Sequence, residues 1–247
     1  MNIKQYLDST YLKTPNQAGV SIEEDLTIVK SYIQEAIDED FKLIMIRPNH
    51  VAMAKQMITD AHSKLTIGTV ISFPEGDNTL EEKLAEAQQA IDDGVDDLDF
   101  VCNYQAFKEG NVELIKKEIY AGTKLGLDHH KIVKWIIEVA ALTDDEIIRI
   151  SALIKNVVMD HFKEACYNSV FVKSSTGFYA MPDGLPNGAT VPTILMMLEN
   201  ASPLPVKAAG GVRTYDEAVE MIRLGVKRIG TSSAKAIANG MQANDSY

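Results

Sequence analysis

The sequence predicts an α/β protein, a single (β/α)8 TIM barrel formed by residues 1–247, and three observations predict it. The chain has 247 residues, and one such barrel typically takes about 250. Eight short apolar segments with strand character are separated by amphipathic helical patterns, as expected of βαβ units around a parallel sheet. No GxGxxG turn occurs, although an open doubly wound sheet would commonly carry one after its first strand.

The candidate strands, in order, are Tyr6–Tyr11, Lys42–Ile46, Leu65–Ser72, Asp97–Cys102, Ile132–Glu138, Ser169–Lys173, Pro205–Ala208 and Lys227–Gly230. Four of the intervening helices announce their starts with a capping box, at Ser21-x-x-Glu24, Thr79-x-x-Glu82, Thr143-x-x-Glu146 and Thr214-x-x-Glu217. In that motif a hydroxyl and a carboxylate satisfy backbone N–H groups that the first helical turn leaves unpaired. Leu80, Leu84, Ala87 and Ile91 then form one apolar stripe that stops at Gly94. Ala218, Val219 and Ile222 do the same before Gly225. The Pro- and Gly-rich stretch Tyr179–Gly188 reads as a long loop after the sixth strand. Residues from about 240 to 247 read as a flexible tail.

Bulk composition narrows the function. A net charge of −11 argues against nucleic acid and against anionic membrane surfaces, both of which attract basic proteins. No apolar run reaches the length of a membrane span, and the N-terminal residues lack a signal-peptide core. Cys102 and Cys166 are the two cysteines, and their spacing forms neither a disulfide framework nor a zinc motif. A reducing cytoplasm is the expected compartment. The five histidines, His50, His62, His129, His130 and His161, show no HxH or HExxH spacing. Neither a metal nor another cofactor is expected.

Side chains alternate between the two faces of a strand. If the apolar set faces the helices, Asp99, Lys134, Lys173 and Lys207 point into the barrel. An unpaired charge there would cost several kcal/mol. Lys173 and Lys207 come late in their strands, at the end where this fold carries its chemistry. A structural ion-pair network is the alternative for any one of them. Two anion-friendly loops follow the last strands, Gly210-Gly211 and Ser232-Ser233, in the common phosphate position of the fold. Ser174-Ser-Thr176-Gly177 adds further donors.

Those residues sit in segments that resemble the deoxyribose-phosphate aldolase family along nearly the whole chain. The matching segments are Asp8-Ser-Thr-Tyr-Leu-Lys13, Ser72-Phe-Pro-Glu-Gly76, Leu98-Asp-Phe-Val101, Val172-Lys-Ser-Ser-Thr-Gly-Phe178, Val206-Lys-Ala-Ala-Gly-Gly-Val-Arg213 and Tyr247. The resemblance implies a class I aldolase that reversibly cleaves 2-deoxy-D-ribose 5-phosphate to D-glyceraldehyde 3-phosphate and acetaldehyde. It implies Lys173 as the Schiff-base lysine, Lys207 as its neighbour, Asp99 as the acidic partner, Asp8 as a further site aspartate and Tyr247 as a proton carrier on the tail. Thr176, Gly177, Gly210, Gly211, Ser232 and Ser233 correspond to substrate and phosphate contacts, and Lys134 is grouped with them. Met45 stands where many relatives have a cysteine. Small phosphosugars and aldehydes are the expected partners, with a homodimer as the assembly. An isomerase-type or non-catalytic phosphosugar-binding barrel would explain the phosphate loops equally well, but not paired lysines on adjacent strands.

Overall fold

A computed structural model of the protein describes residues 1–181 and 187–240. Its eight strands are β1 (Leu7–Thr10), β2 (Leu43–Ile46), β3 (Thr66–Ile71), β4 (Asp97–Val101), β5 (Ile132–Ile136), β6 (Val170–Lys173), β7 (Val206–Ala209) and β8 (Arg228–Thr231). All are parallel, each pairs with the next, and β8 closes onto β1. The predicted barrel is therefore the observed one. Each predicted strand is found, with ends that differ by a residue or two. All four predicted capping boxes form, and a fifth joins Thr14 to Gln17.

The largest revision of a strand end concerns β5, expected to reach Glu138 and ending instead at Ile136. Glu138 takes a left-handed backbone conformation, φ 52° and ψ 70°. Few non-glycine residues adopt it without a compensating contact. Here Ser175 and Thr176 supply that contact by donating to the Glu138 carboxylate.

Two different interiors result from strand alternation. The outward side chains of the strands, among them Ile44, Leu98, Phe100, Trp135, Val172, Val206 and Ile229, join the helices in one large apolar layer. Trp135 is fully buried, stacks on Phe100 with centroids 4.9 Å apart and donates through Nε1 to Thr123 Oγ1 at 3.0 Å. The helix Val112–Asp128 can lie this close to the sheet because it presents Gly122 and Gly126 there. A Cβ on Gly126 would stand 2.2 Å from Val133 Cγ2. Helix propensity alone favours alanine by about 1 kcal/mol, but the displaced neighbour is a stiff β-branched side chain on a strand. Overpacking costs about 1–3 kcal/mol and wins. Gly126→Ala should therefore lower the urea midpoint, with a net loss of up to about 2 kcal/mol.

Inside the barrel, one side is apolar. Leu43 and Met45 of β2 pack with Val70 of β3 and with Leu12. Met45 fits because Gly68 opposes it in register, and a Cβ there would meet Met45 Cε at 2.5 Å. The side running from β4 through β8 to β1 carries the charges.

Candidate functional site

The strand register assembles the charged side of the interior. Asp99 of β4 lies opposite Lys134 of β5, Lys173 of β6 opposite Lys207 of β7, and Lys207 opposite Arg228 of β8. Asp99 is the hub. Its Oδ1 accepts from Lys134 Nζ at 2.7 Å, and its Oδ2 accepts from both Lys173 Nζ at 2.9 Å and Lys207 Nζ at 3.0 Å. The two late-strand lysines thus share one carboxylate oxygen. Lys207 Nζ also lies 2.6 Å from Asp8 Oδ2, whose other oxygen accepts from Arg228 Nε at 2.7 Å. Lys134 reaches Asp97 Oδ2 at 2.7 Å, and Arg228 Nη2 lies 3.4 Å from the same atom.

These contacts join four cations, Lys134, Lys173, Lys207 and Arg228, to three carboxylates, Asp8, Asp97 and Asp99. With every group ionised the cluster holds one positive charge too many. Neutralising one lysine restores balance, and the member with the least support should yield first. Among the described residues Lys134 has two carboxylate partners and Lys207 has two, whereas Lys173 has its share of Asp99.

The acidities follow that count. Burial is the largest influence on Lys173; Asp99 opposes it and Lys207 reinforces it, leaving the ammonium lowered from 10.5 to about 8. Burial also works against the charge on Lys134, but Asp97 and Asp99 more than offset it and raise its pKa. Burial pushes the Asp99 carboxyl up, yet Lys134, Lys173 and Lys207 together hold it well below the ordinary range. Asp8 is lowered in the same way, burial being outweighed by Arg228 and Lys207. Desolvation thus contributes more to weakening the hold of Lys173 on its proton than the neighbouring Lys207 cation does.

A cavity of about 300 Å³ opens above this network at the C-terminal ends of the strands. Lys173 is the member of the network that lines it. Leu12 and Phe178 form an apolar part of its wall, and Thr10, Thr176, Gly177, Asn187, Gly210, Gly211, Thr231 and Ser232 contribute polar or backbone surface. Gly210 and Gly211 have φ of 82° and 88°, values that favour glycine. Gly210 is hemmed in as well, since a Cβ there would lie 3.0 Å from Gly188 Cα and 3.2 Å from Ser175 Cβ.

Among the expected site residues, the fold brings Lys173, Lys207, Asp99 and Asp8 into one network and Thr176, Gly177, Gly210, Gly211 and Ser232 onto one cavity. Ser233 adjoins Ser232, with its N–H donated to Thr231 Oγ1 at 3.0 Å, and does not line the cavity. Lys134, expected among the substrate contacts, is fully buried between Asp97 and Asp99 and also does not line it. Its charge is already consumed by two carboxylates. Tyr247 lies outside the described residues.

Several residues escape sequence reasoning. Asp97 and Arg228 complete the charge network; Asp97 shares the parity of Asp99, a signal that was available. Half-buried Lys13 and exposed Arg213 bring cations to the cavity beside Gly211. Asn187 comes from the far end of the long loop and is tied back by Asn187 Nδ2 donating to the Gly177 carbonyl at 3.3 Å. Glu138 is buried directly behind Thr176.

Comparison with known proteins agrees with this geometry. The sequence pattern of the DeoC/LacD family aldolases matches residues 5–242. A deoxyribose-phosphate aldolase of Streptococcus suis is 37% identical over 248 residues, covering 100% of both chains. One from Thermococcus gammatolerans is 36% identical over 97% of this chain and 96% of its own. Among solved structures, the tetrameric deoxyribose phosphate aldolase of Aeropyrum pernix superposes with a TM-score of 0.77 at 27% identity, over 96% of this chain and 89% of that one. A closed barrel with a weakly basic lysine at its mouth and a family pattern spanning nearly every residue lead to one assignment: the chain belongs to the DeoC/LacD family of aldolases.

Proposed function

We propose that the enzyme is a class I deoxyribose-phosphate aldolase working through a Schiff base on Lys173, within one catalytic domain. The observation that carries this reading is the Lys173 amine. It faces the cavity, it is the least supported cation of an overcharged cluster, and its pKa of about 8 leaves a useful neutral fraction near pH 7.

The steps follow from that amine. Neutral Nζ adds to C1 of open-chain 2-deoxy-D-ribose 5-phosphate, and loss of water gives an iminium. The C3 hydroxyl gives up its proton while the C2–C3 bond breaks. Electrons of that bond flow toward the iminium nitrogen, so glyceraldehyde 3-phosphate departs and a two-carbon enamine remains. Protonation at C2 and hydrolysis release acetaldehyde and regenerate the amine. The iminium is the electron sink, and chelation with EDTA is expected to leave turnover unchanged. Lys207 and Asp99 are proposed to position a water for the proton transfers, with Tyr247 as a second carrier. The substrate phosphate is proposed to sit against Gly210, Gly211, Ser232 and Ser233, near Lys13 and Arg213. Lys134 and Asp8 act at one remove, by fixing the charge and orientation of Asp99 and Lys207.

Borohydride with substrate should reduce the iminium and leave a stable adduct on the peptide containing Lys173. An adduct on another lysine, or none with a turning-over enzyme, would refute the assignment. An isomerase-type or non-catalytic barrel would give no such adduct. Lys207→Met tests the electrostatics separately. Removing the second ammonium raises the Lys173 pKa, so the acid limb of kcat/KM should move up by about one unit, about a tenfold loss at pH 7.

No described helix is long and apolar enough to cross a membrane. Free Cys102 and Cys166 fit a cytoplasmic setting, where thiols stay reduced. A homodimer remains the proposed assembly, to be checked by light scattering.

A further inference from the structure

Glu138 belongs to none of the roles above, yet it is one of the most heavily constrained groups at the mouth. It is 1% exposed, and its backbone is in the left-handed region. Among the described residues its carboxylate makes no ion pair. Instead it faces three hydrogen-bonding groups of the turn after β6. Ser175 Oγ lies 2.7 Å from Oε1 and 2.8 Å from the Asn187 carbonyl oxygen, with one proton to share between them; Thr176 N donates to Oε2 at 3.1 Å, and Thr176 Oγ1 makes a short hydrogen bond to the same Oε2.

The consequence falls on Thr176. A threonine hydroxyl has one proton to give and two lone pairs to receive with. Burial raises the Glu138 pKa against the opposing pull of the Thr176 and Ser175 hydrogen bonds and of Lys173; in its ionised form the carboxylate only accepts, and the Thr176 proton is then committed to Glu138. One lone pair is taken by Phe178 N at 3.0 Å. What Thr176 Oγ1 has left for the cavity it lines is an acceptor, strengthened by the charge behind it. Such a group cannot donate to a carbonyl or phosphate oxygen. It pairs with a hydroxyl.

We propose that Glu138, acting through Thr176, is a specificity-determining positioning residue that selects aldehydes carrying a hydroxyl next to the reacting carbon. The proposal rests on the aldolase reading of the cavity and deepens it. In the cleavage direction the C3 hydroxyl becomes a carbonyl oxygen, while the C4 hydroxyl stays a donor throughout. An acceptor-only threonine therefore suits the C4 hydroxyl in substrate and product alike. Against an aldehyde without that hydroxyl, the remaining lone pair stays unpaired.

The test uses unphosphorylated acceptors, which leave the phosphate loops unengaged. Addition of acetaldehyde to glycolaldehyde is compared with its addition to propanal, as a ratio of kcat/KM values. The wild-type enzyme should prefer glycolaldehyde. Glu138→Leu should cut that ratio about tenfold while the propanal rate changes little. Glu138→Gln keeps an acceptor oxygen but loses the charge, and should cut the ratio about threefold; this variant decides the matter if the leucine variant fails to fold. A ratio unchanged in Glu138→Gln, equal losses on both acceptors, or no preference in the wild type would each overturn the proposal. Failure of the lysine chemistry looks different, since neither acceptor would then be consumed by the wild-type enzyme.

Discussion

Lys173→Met should lower kcat/KM for deoxyribose phosphate cleavage by on the order of 10⁴-fold or more, the scale seen when a covalent nucleophile is removed, while making the protein harder to unfold. The two effects have one cause. The Lys173 ammonium is disfavoured by the folded state, with its pKa brought from 10.5 to about 8. An unfolded chain therefore binds its proton more tightly, and the folded state carries a penalty. That penalty is fully present below about pH 8, where both states are protonated. It fades as pH rises from 8 through 10.5, so stability from this group increases across that window. Methionine keeps the length of the side chain and removes the excess charge, leaving three cations against three carboxylates. At pH 7 the relief is on the order of 3 kcal/mol, which should raise Tm by several degrees. An inactive variant that is also clearly less stable would mean that Lys173 is a structural partner of Asp99, and would undo the charge accounting.

Asp99→Asn should act in the opposite sense on stability. Asp99 receives Lys134, Lys173 and Lys207 on its two oxygens and is fully buried. An amide of the same shape cannot neutralise them, and an uncompensated buried charge costs about 3–5 kcal/mol. That is a large share of the roughly 5–15 kcal/mol that holds a typical domain together. Urea unfolding at pH 7 should show the loss as a lower midpoint. Catalysis should fall as well, but not through the ionisation of the nucleophile. Asp99 favours the charged form of Lys173, so its loss pushes that pKa further down and the acid limb of the pH profile moves to lower pH. A kcat that falls while the limb shifts downward would place the defect in orientation and proton transfer. Asp99 also carries an acid signature in the parent enzyme. Its pKa lies well below 3.8 in the fold, so its contribution is present above that value and is lost as pH falls through the folded pKa.

Met45 brings sulfur into the barrel interior without thiol chemistry. A sulfur that is not a thiol stands on β2 inside the barrel, fully buried against Leu43 and Val70. Cys102 is buried on the helix side, where burial pushes its thiol up. Among the described residues no cysteine lines the cavity that Lys173 faces.

By itself the sequence determined the fold, because its signals are local and periodic. Strand alternation, four hydroxyl-carboxylate caps and chain length need no knowledge of distant contacts, and they locate all eight strands. Parity also turns Asp99, Lys134, Lys173 and Lys207 inward. Who pairs with whom was decided only by the closed barrel. Register brings Asp8 and Arg228, 220 residues apart, into one ion pair, and it converts Lys134 from an expected substrate contact into a counter-ion. The same closure lets Glu138 leave β5 and bend behind Thr176. Ionisation depends on burial and on every charge within a few ångströms, quantities that exist only once the strands have met.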